Sequence, residues 1–208
     1  MKIGFLGGGN FGGHLAKLLT KAGHDVVVGL RDVTQSCSAN VYRVMSLEDA
    51  ACHGEIVIVA IPYQACADTL PSLAQFLVGK VVVDATNPLR DDWSPLPLGE
   101  SDSAAEVLAR LLPSSRLAKA FNTIFADIMV EDRIDRAGHP VTAFIAGDDV
   151  AANAVVAHIA ASAGFAPLIT GHLGNARYLE AMAHLNIQIA VVHGGGTNAG
   201  SVYHQARD

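Results

Sequence analysis

Two kinds of stretch alternate along the chain. Short, continuous apolar runs rich in valine and isoleucine fall at residues 2–6, 26–29, 55–61, 80–85, 116–121 and 141–146, with a weaker seventh at 166–169. Runs this short and this continuous predict strands buried on both faces, where no polar side is left to alternate with the apolar one. Between them, residues 11–22, 47–51, 64–77, 103–112 and 149–163 carry apolar residues at helical spacing. Strand–helix–strand alternation predicts a doubly wound α/β fold, a mostly parallel sheet with helices on both faces.

The last apolar stretch has a different character. From 175 to 193, Ala176, Leu179, Met182, Ala183, Ile187, Ile189 and Ala190 recur at helical spacing with no proline. A helix this apolar needs cover on most sides. It either packs back over the sheet crevice or meets its twin in a homodimer. Gly194-Gly195-Gly196 ends it, since glycine readily takes the left-handed conformation past a helix terminus. The polar tail, 197–208, reads as mobile. Residues 91–99, with Pro95 and Pro97, form the one long loop. The expected division is therefore a sheet domain over 1–170, and a helix and tail over 171–208 that close a site or form a dimer contact.

Composition narrows the function classes. With 208 residues, half of them hydrophobic and 16% charged, the chain can bury a full core and is not disordered. Fourteen Lys+Arg against 20 Asp+Glu, net −6, offer no basic surface for nucleic acid. No apolar run approaches the ~18 residues of a membrane span, and the start lacks the apolar core of a signal peptide. Three cysteines, Cys37, Cys52 and Cys66, show neither paired nor metal-ligand spacing and read as reduced thiols. The expected setting is cytoplasmic, with no metal.

The chemistry begins at Gly7-Gly8-Gly9-Asn10-Phe11-Gly12, which follows the first predicted strand and opens the first helix. That context turns a weak GxGxxG match into a dinucleotide site of Rossmann type. Gly7 permits the tight turn, Gly9 lets the backbone approach a pyrophosphate, and Gly12 lets helix and strand pack closely. The helix N-terminus offers unpaired N–H groups to the phosphates. An NAD site carries a carboxylate at the end of the second strand; here Gly29 and Leu30 stand there, followed by Arg31. A guanidinium suits the 2′-phosphate of NADP and can stack on adenine. Asp32 comes one residue later, so Arg31 also admits a reading as a surface partner of Asp32.

Ligands in open α/β sheets bind outside the carboxyl ends of the strands. Ile61-Pro62-Tyr63, Asp84-Ala85-Thr86-Asn87-Pro88 and Lys119-Ala120-Phe121-Asn122-Thr123-Ile124 stand at three such ends. Pro62 and Pro88 stiffen the turns, while Asn87, Asn122 and Thr123 supply uncharged polar groups. A dehydrogenase of hydroxy acids or sugars needs a general acid/base. Only Tyr63 and Lys119 approach that role here, and His14 and His172 read as solvated. Hydride transfer to a flavin-type ring relaxes the need, because the ring carries the chemistry. No catalytic side chain is expected.

Together with Val28-Gly29-Leu30-Arg31 and Gly171-His172-Leu173-Gly174-Asn175-Ala176-Arg177, these segments resemble the NADP oxidoreductases dependent on coenzyme F420. They are similar too to the cytoplasmic NADPH-oxidising domain of the STEAP metalloreductases. The resemblance runs to about residue 193 and implies direct hydride exchange between NADP(H) and a deazaflavin or flavin ring: coenzyme F420, FMN or FAD. It implies a pyrophosphate on Gly7, Gly9, Asn10, Phe11 and Gly12, and a 2′-phosphate beside Leu30 and Arg31. Ile61, Pro62, Tyr63, Asn87 and Pro88 would border the nicotinamide ribose, and Asn122, Thr123 and Ile124 would lie against the rings. His172, Leu173 and Asn175 would close the isoalloxazine side. The family commonly has serine where Leu30 stands and basic residues where Asp32-Val33-Thr34 follow. No membrane region is expected after the final helix, so the haem-linked path of the STEAP proteins is not expected in this chain.

Two other readings fit the residues. One is a reductase of a small imine or hydroxy acid, like pyrroline-carboxylate reductase, although only 171–208 remains for the helical domain such enzymes add. The other is a non-catalytic NADPH-binding redox sensor.

Overall fold

The computed structural model describes residues 1–35, 41–99 and 101–205. Cys37 lies outside them. The first half is β1 (Lys2–Leu6), α1 (Asn10–Lys21), β2 (Asp25–Leu30), β3 (Arg43–Ser46), α2 (Leu47–His53), β4 (Ile56–Val59), α3 (Cys66–Leu77) and β5 (Val81–Asp84). The second half is α4 (Ala104–Leu111), β6 (Arg116–Ala120), α5 (Glu131–Ile134), β7 (Asp135–Arg136), β8 (His139–Pro140), β9 (Thr142–Gly147), α6 (Val150–Ser162), β10 (Ala166–Ile169) and α7 (Ala176–Ile187). A π-helical turn, Gln188–Val192, extends α7, and Gly194 past it has φ +69°.

The main sheet has the order β10-β9-β6-β5-β4-β1-β2-β3. From β3 to β6 it is parallel, and β1 lies between β2 and β4, with Leu6 beside both Gly29 and Val59. This is the Rossmann-type arrangement, with a crevice outside the strand ends where the order reverses at β1. Successive strand residues feed opposite faces. Ile3, Phe5, Val26, Val28, Ile58 and Val83 pack under α1 and α6, while Leu6, Val57, Val59 and Val82 pack under α3 and α4.

Three features depart from the sequence pattern. β9 runs antiparallel to β6, although β10 is parallel to β9. Between β6 and β9 the chain makes only short turns, the four-residue α5 and the β7–β8 hairpin, with no helix to carry a crossover. β3 was absent from the apolar runs because it is an edge strand of half-buried residues. The tail is docked through residue 203: Thr142 N–H donates to the Ser201 carbonyl (2.9 Å) and Tyr203 N–H to Thr142 Oγ1 (2.9 Å).

Candidate functional site

The turn from β1 into α1 is shaped by three glycines with different constraints. Gly7 has φ +108°, and a Cβ there would stand 2.6 Å from the Ala60 carbonyl oxygen. A Cβ on Gly12 would meet the Gly7 carbonyl oxygen at 2.4 Å. Gly9 has nothing within 4 Å of a Cβ position, so the same turn is crowded behind and open in front. Gly9 caps α1 with no side-chain bond, and no acidic residue occupies the first turn. The first N–H groups of the helix therefore keep their positive end available to an anion. Asn10 is exposed and Phe11 packs partly against the core. His14 is half-buried on α1, with Nδ1 bonded to the Asn10 carbonyl at 2.7 Å.

At the end of β2, Leu30 packs partly on the core, and Arg31 is exposed. Asp32 Oδ1 accepts from Thr34 N–H (3.0 Å) and Thr34 Oγ1 (2.6 Å), a local turn. At the end of β4, Ile61 is half-buried and Pro62 exposed. Tyr63 packs partly under α3, where burial and then the Glu180 carboxylate raise its phenol pKa. Cys66 is buried beside it, its thiol pushed up to about 12 mainly by burial, so it carries no thiolate reactivity.

The ends of β5 and β6 hold the densest polar group. Lys119 is fully buried, with Nζ 2.8 Å from Asp84 Oδ2, 2.6 Å from the Thr86 carbonyl oxygen and 2.8 Å from Glu180 Oε1. Burial alone would lower its pKa; the Asp84 and Glu180 carboxylates outweigh it and raise the value, so the ammonium stays charged. Directly beyond, Asn87 Nδ2 donates to the Asn122 carbonyl (2.8 Å), and Asn122 Nδ2 donates to Asn87 Oδ1 (3.0 Å). Asn122 Nδ2 also donates to the Leu179 carbonyl on α7 (3.1 Å). The chain turns into this pair through Phe121 at φ +64°, a strained conformation for a bulky residue, with its ring fully buried and edge-on to Phe165 at 6.0 Å. Thr123 and Ile124 are buried behind it, and Pro88 is buried beyond Asn87.

The structure thus joins Asn87, Pro88, Asn122 and Thr123 into one wall, covered by α7. Asn186 Nδ2 on that helix donates to the Thr123 carbonyl at 3.1 Å. Before α7, His172 is exposed while Leu173 is buried in the core with Ala176. Asn175 Nδ2 holds the Thr170 carbonyl (2.5 Å), and Leu173 N–H donates to Asp148 Oδ1 (2.9 Å). Sequence reasoning missed Glu180 and His184, and it placed Asp84 and Lys119 at strand ends without giving them a part in a buried cluster. A signal did exist: Glu180 falls on the apolar face of α7, between Ala176 and Ala183, and is 4% exposed. A carboxylate in such a stripe calls for a buried cation, and Lys119 in an apolar strand calls for the reverse.

Among known proteins, the family described as NADP oxidoreductase, coenzyme F420-dependent, matches residues 2–88. The F420-dependent NADP reductase of Methanothermobacter marburgensis is 33% identical over 213 aligned residues, covering 92% of this chain and 93% of that protein. The metalloreductase STEAP3 of Rattus norvegicus is 34% identical over 183 residues, 87% of this chain, but the chain spans only 36% of its length. A crystal structure from Arthrobacter sp. FB24, described as a candidate F420-dependent NADP reductase, superposes with a TM-score of 0.84 at 28% identity. It covers 95% of this chain and 96% of that one. No helix among the described residues is long and apolar enough to cross a membrane.

Proposed function

The chain belongs to the coenzyme F420-dependent NADP oxidoreductase family, and from that premise we propose that it transfers a hydride between NADP(H) and a deazaflavin ring, coenzyme F420. The observation that carries the reading is the β1–α1 turn. It is packed too tightly for a side chain at Gly7 and Gly12, yet open at Gly9 before an uncapped helix N-terminus. That geometry suits the close approach of a pyrophosphate to the backbone. Arg31, exposed at the end of β2, is the group for the 2′-phosphate. The nicotinamide supplies the hydride chemistry when bound, and the protein's part is to orient it. Asn87 and Asn122 supply the polar contacts for that half of the nucleotide, with Thr123 and Ile124 beside them. His172 and Asn175 border the acceptor ring, and Leu173, buried in the core between them, anchors their segment instead of touching the ring.

The same reading places two copies of the chain together through the outer face of α7. Tyr178, Leu185, Ile189 and Val192 are large, apolar and exposed there.

Anaerobic oxidation of NADPH, followed at the nicotinamide absorbance, tests the acceptor, with coenzyme F420, FMN and FAD offered separately. Saturable turnover with coenzyme F420, well above that with FMN or FAD, is expected. Saturable turnover with FMN or FAD alone would reassign the chain to flavin reduction. Tight NADPH binding without turnover for all three would point to an NADPH sensor or to a reductase of small imines.

A further inference from the structure

Lys119 has three ammonium hydrogens and three acceptors, Asp84, the Thr86 carbonyl and Glu180, all within 2.8 Å. A buried ion cluster is weak evidence for stabilisation, because well-packed apolar residues of the same volume often do as well. Its connections give it a geometric role. Asp84 Oδ1 accepts from Thr86 N–H at 2.8 Å, while Lys119 holds the Thr86 carbonyl. The residue before Asn87 is thereby fixed at both ends. Glu180 follows Leu179, whose carbonyl binds the Asn122 amide. Its carboxylate also accepts from Ala104 and Ala105 N–H (3.0 and 3.3 Å), which pins α7 to the first turn of α4.

Both sides of the Asn87–Asn122 pair thus hang from one cluster. Asn122 Nδ2 spends its two hydrogens on Asn87 Oδ1 and the Leu179 carbonyl, which settles which end of the amide is which. Its Oδ1 is then buried with no partner among the described residues. A buried acceptor without a donor is costly unless a ligand supplies one.

We propose that the Asp84–Lys119–Glu180 cluster is a positioning device that sets Asn87 and Asn122 against the nicotinamide half of NADP(H), with Asn122 Oδ1 accepting from the carboxamide N–H. This rests on the NADP(H) reading above. Glu180, brought in by α7, is the member that makes the seat depend on the C-terminal helix.

The test compares NADPH with 2′,5′-ADP, which carries the adenosine and 2′-phosphate but no nicotinamide. Both are titrated against wild-type protein, Glu180→Gln and Arg177→Gln. The Arg177 change removes the partly exposed α7–α4 ion pair with Glu106 (2.5 Å) and leaves the cluster whole. Glu180→Gln is expected to weaken NADPH about tenfold or more, as small misplacements do, with 2′,5′-ADP unchanged. Arg177→Gln is expected to move neither. Asn122→Ser should show the same selective loss, and adding Glu180→Gln to it should cost little more, as coupled residues require. If Glu180→Gln does not fold, Asp84→Asn, which keeps the Lys119–Glu180 pair, carries the same expectation. Equal losses for both nucleotides, or no loss of NADPH, would overturn the proposal. Wild-type protein that binds neither nucleotide would overturn the NADP(H) reading, and this inference with it.

Discussion

Arg31 leaves β2 with an exposed side chain, and Asp32 beside it is turned back onto Thr34. A guanidinium so placed gains most from a phosphate dianion, because charge-assisted bonds contribute about 1.5–3 kcal/mol. Arg31→Ala is therefore expected to weaken NADPH roughly 10- to 100-fold, that energy expressed as a ratio of affinities, and NADH hardly at all. Parallel fluorescence titrations of the two nucleotides check this, and equal losses would show that Arg31 does not read the 2′-phosphate. At this scale the sequence exposed some residues and hid others. Gly7 and Gly12 were legible because the packed turn leaves no room for a side chain at either, and Gly9 because the motif's fixed order after a strand keeps that position open to a ligand. Lys119 and Glu180 were legible only as charges out of place in an apolar strand and an apolar helix face; that the two meet, 61 positions apart, no local pattern records. Phe121 was equally silent: its positive φ is imposed by packing and has no signature in residue type.

Between residues and the whole, α7 connects most of the site. It carries Glu180 into the Lys119 cluster, Leu179 and Asn186 to the β6 exit, and His184 to the Pro88 carbonyl. Burial lowers the pKa of His184, with the Pro88 bond opposing and not prevailing. The folded protein thus holds a neutral imidazole that takes up a proton more readily once unfolded. Where pH lies below the ordinary histidine value of about 6.5, the unfolded state binds more protons, so stability falls as pH falls. His24, lowered by burial and then by the chain's amino terminus, acts in the same direction. Thermal unfolding from pH 7 down to pH 5 should show a falling Tm, with a shallower slope in His184→Gln; an unchanged slope would mean His184 titrates alike in both states. Helices and central strands were legible from periodicity because each buries one stripe or two faces. The direction of β9 was not written in its own residues. It could have been read from residues 121–141, which lack the long helical pattern that a parallel crossover requires.

For the whole molecule, the unspent surface is the outer face of α7 and its π-helical extension. Tyr178, Leu185 and Val192 recur every seven residues with exposures of 71%, 62% and 63%, and Ile189 lies between the last two. The inner face of the same helix is fully used: Ala176, Leu179, Glu180, Ala183 and Ile187 are buried within one chain. Within α7, Tyr178 and Leu185 stand two turns apart on one face, and an apolar face left over after intrachain packing is where one helix meets another. A second copy would present the same face, and a two-fold axis would make such a contact closed and self-complementary. Both expectations for this helix, cover for the crevice and contact with a twin, can hold at once because they use opposite faces. Leu185→Glu tests the second without disturbing the first, since the substituted side chain lies outside the core. In a two-fold contact the new carboxylate would appear twice, and juxtaposed like charges cost several kcal/mol. Wild-type protein is expected to sediment as a dimer and Leu185→Glu as a monomer, with NADPH affinity retained because the crevice is built within one chain. A wild type that sediments as a monomer at tens of micromolar would remove the second copy and leave the face without its partner.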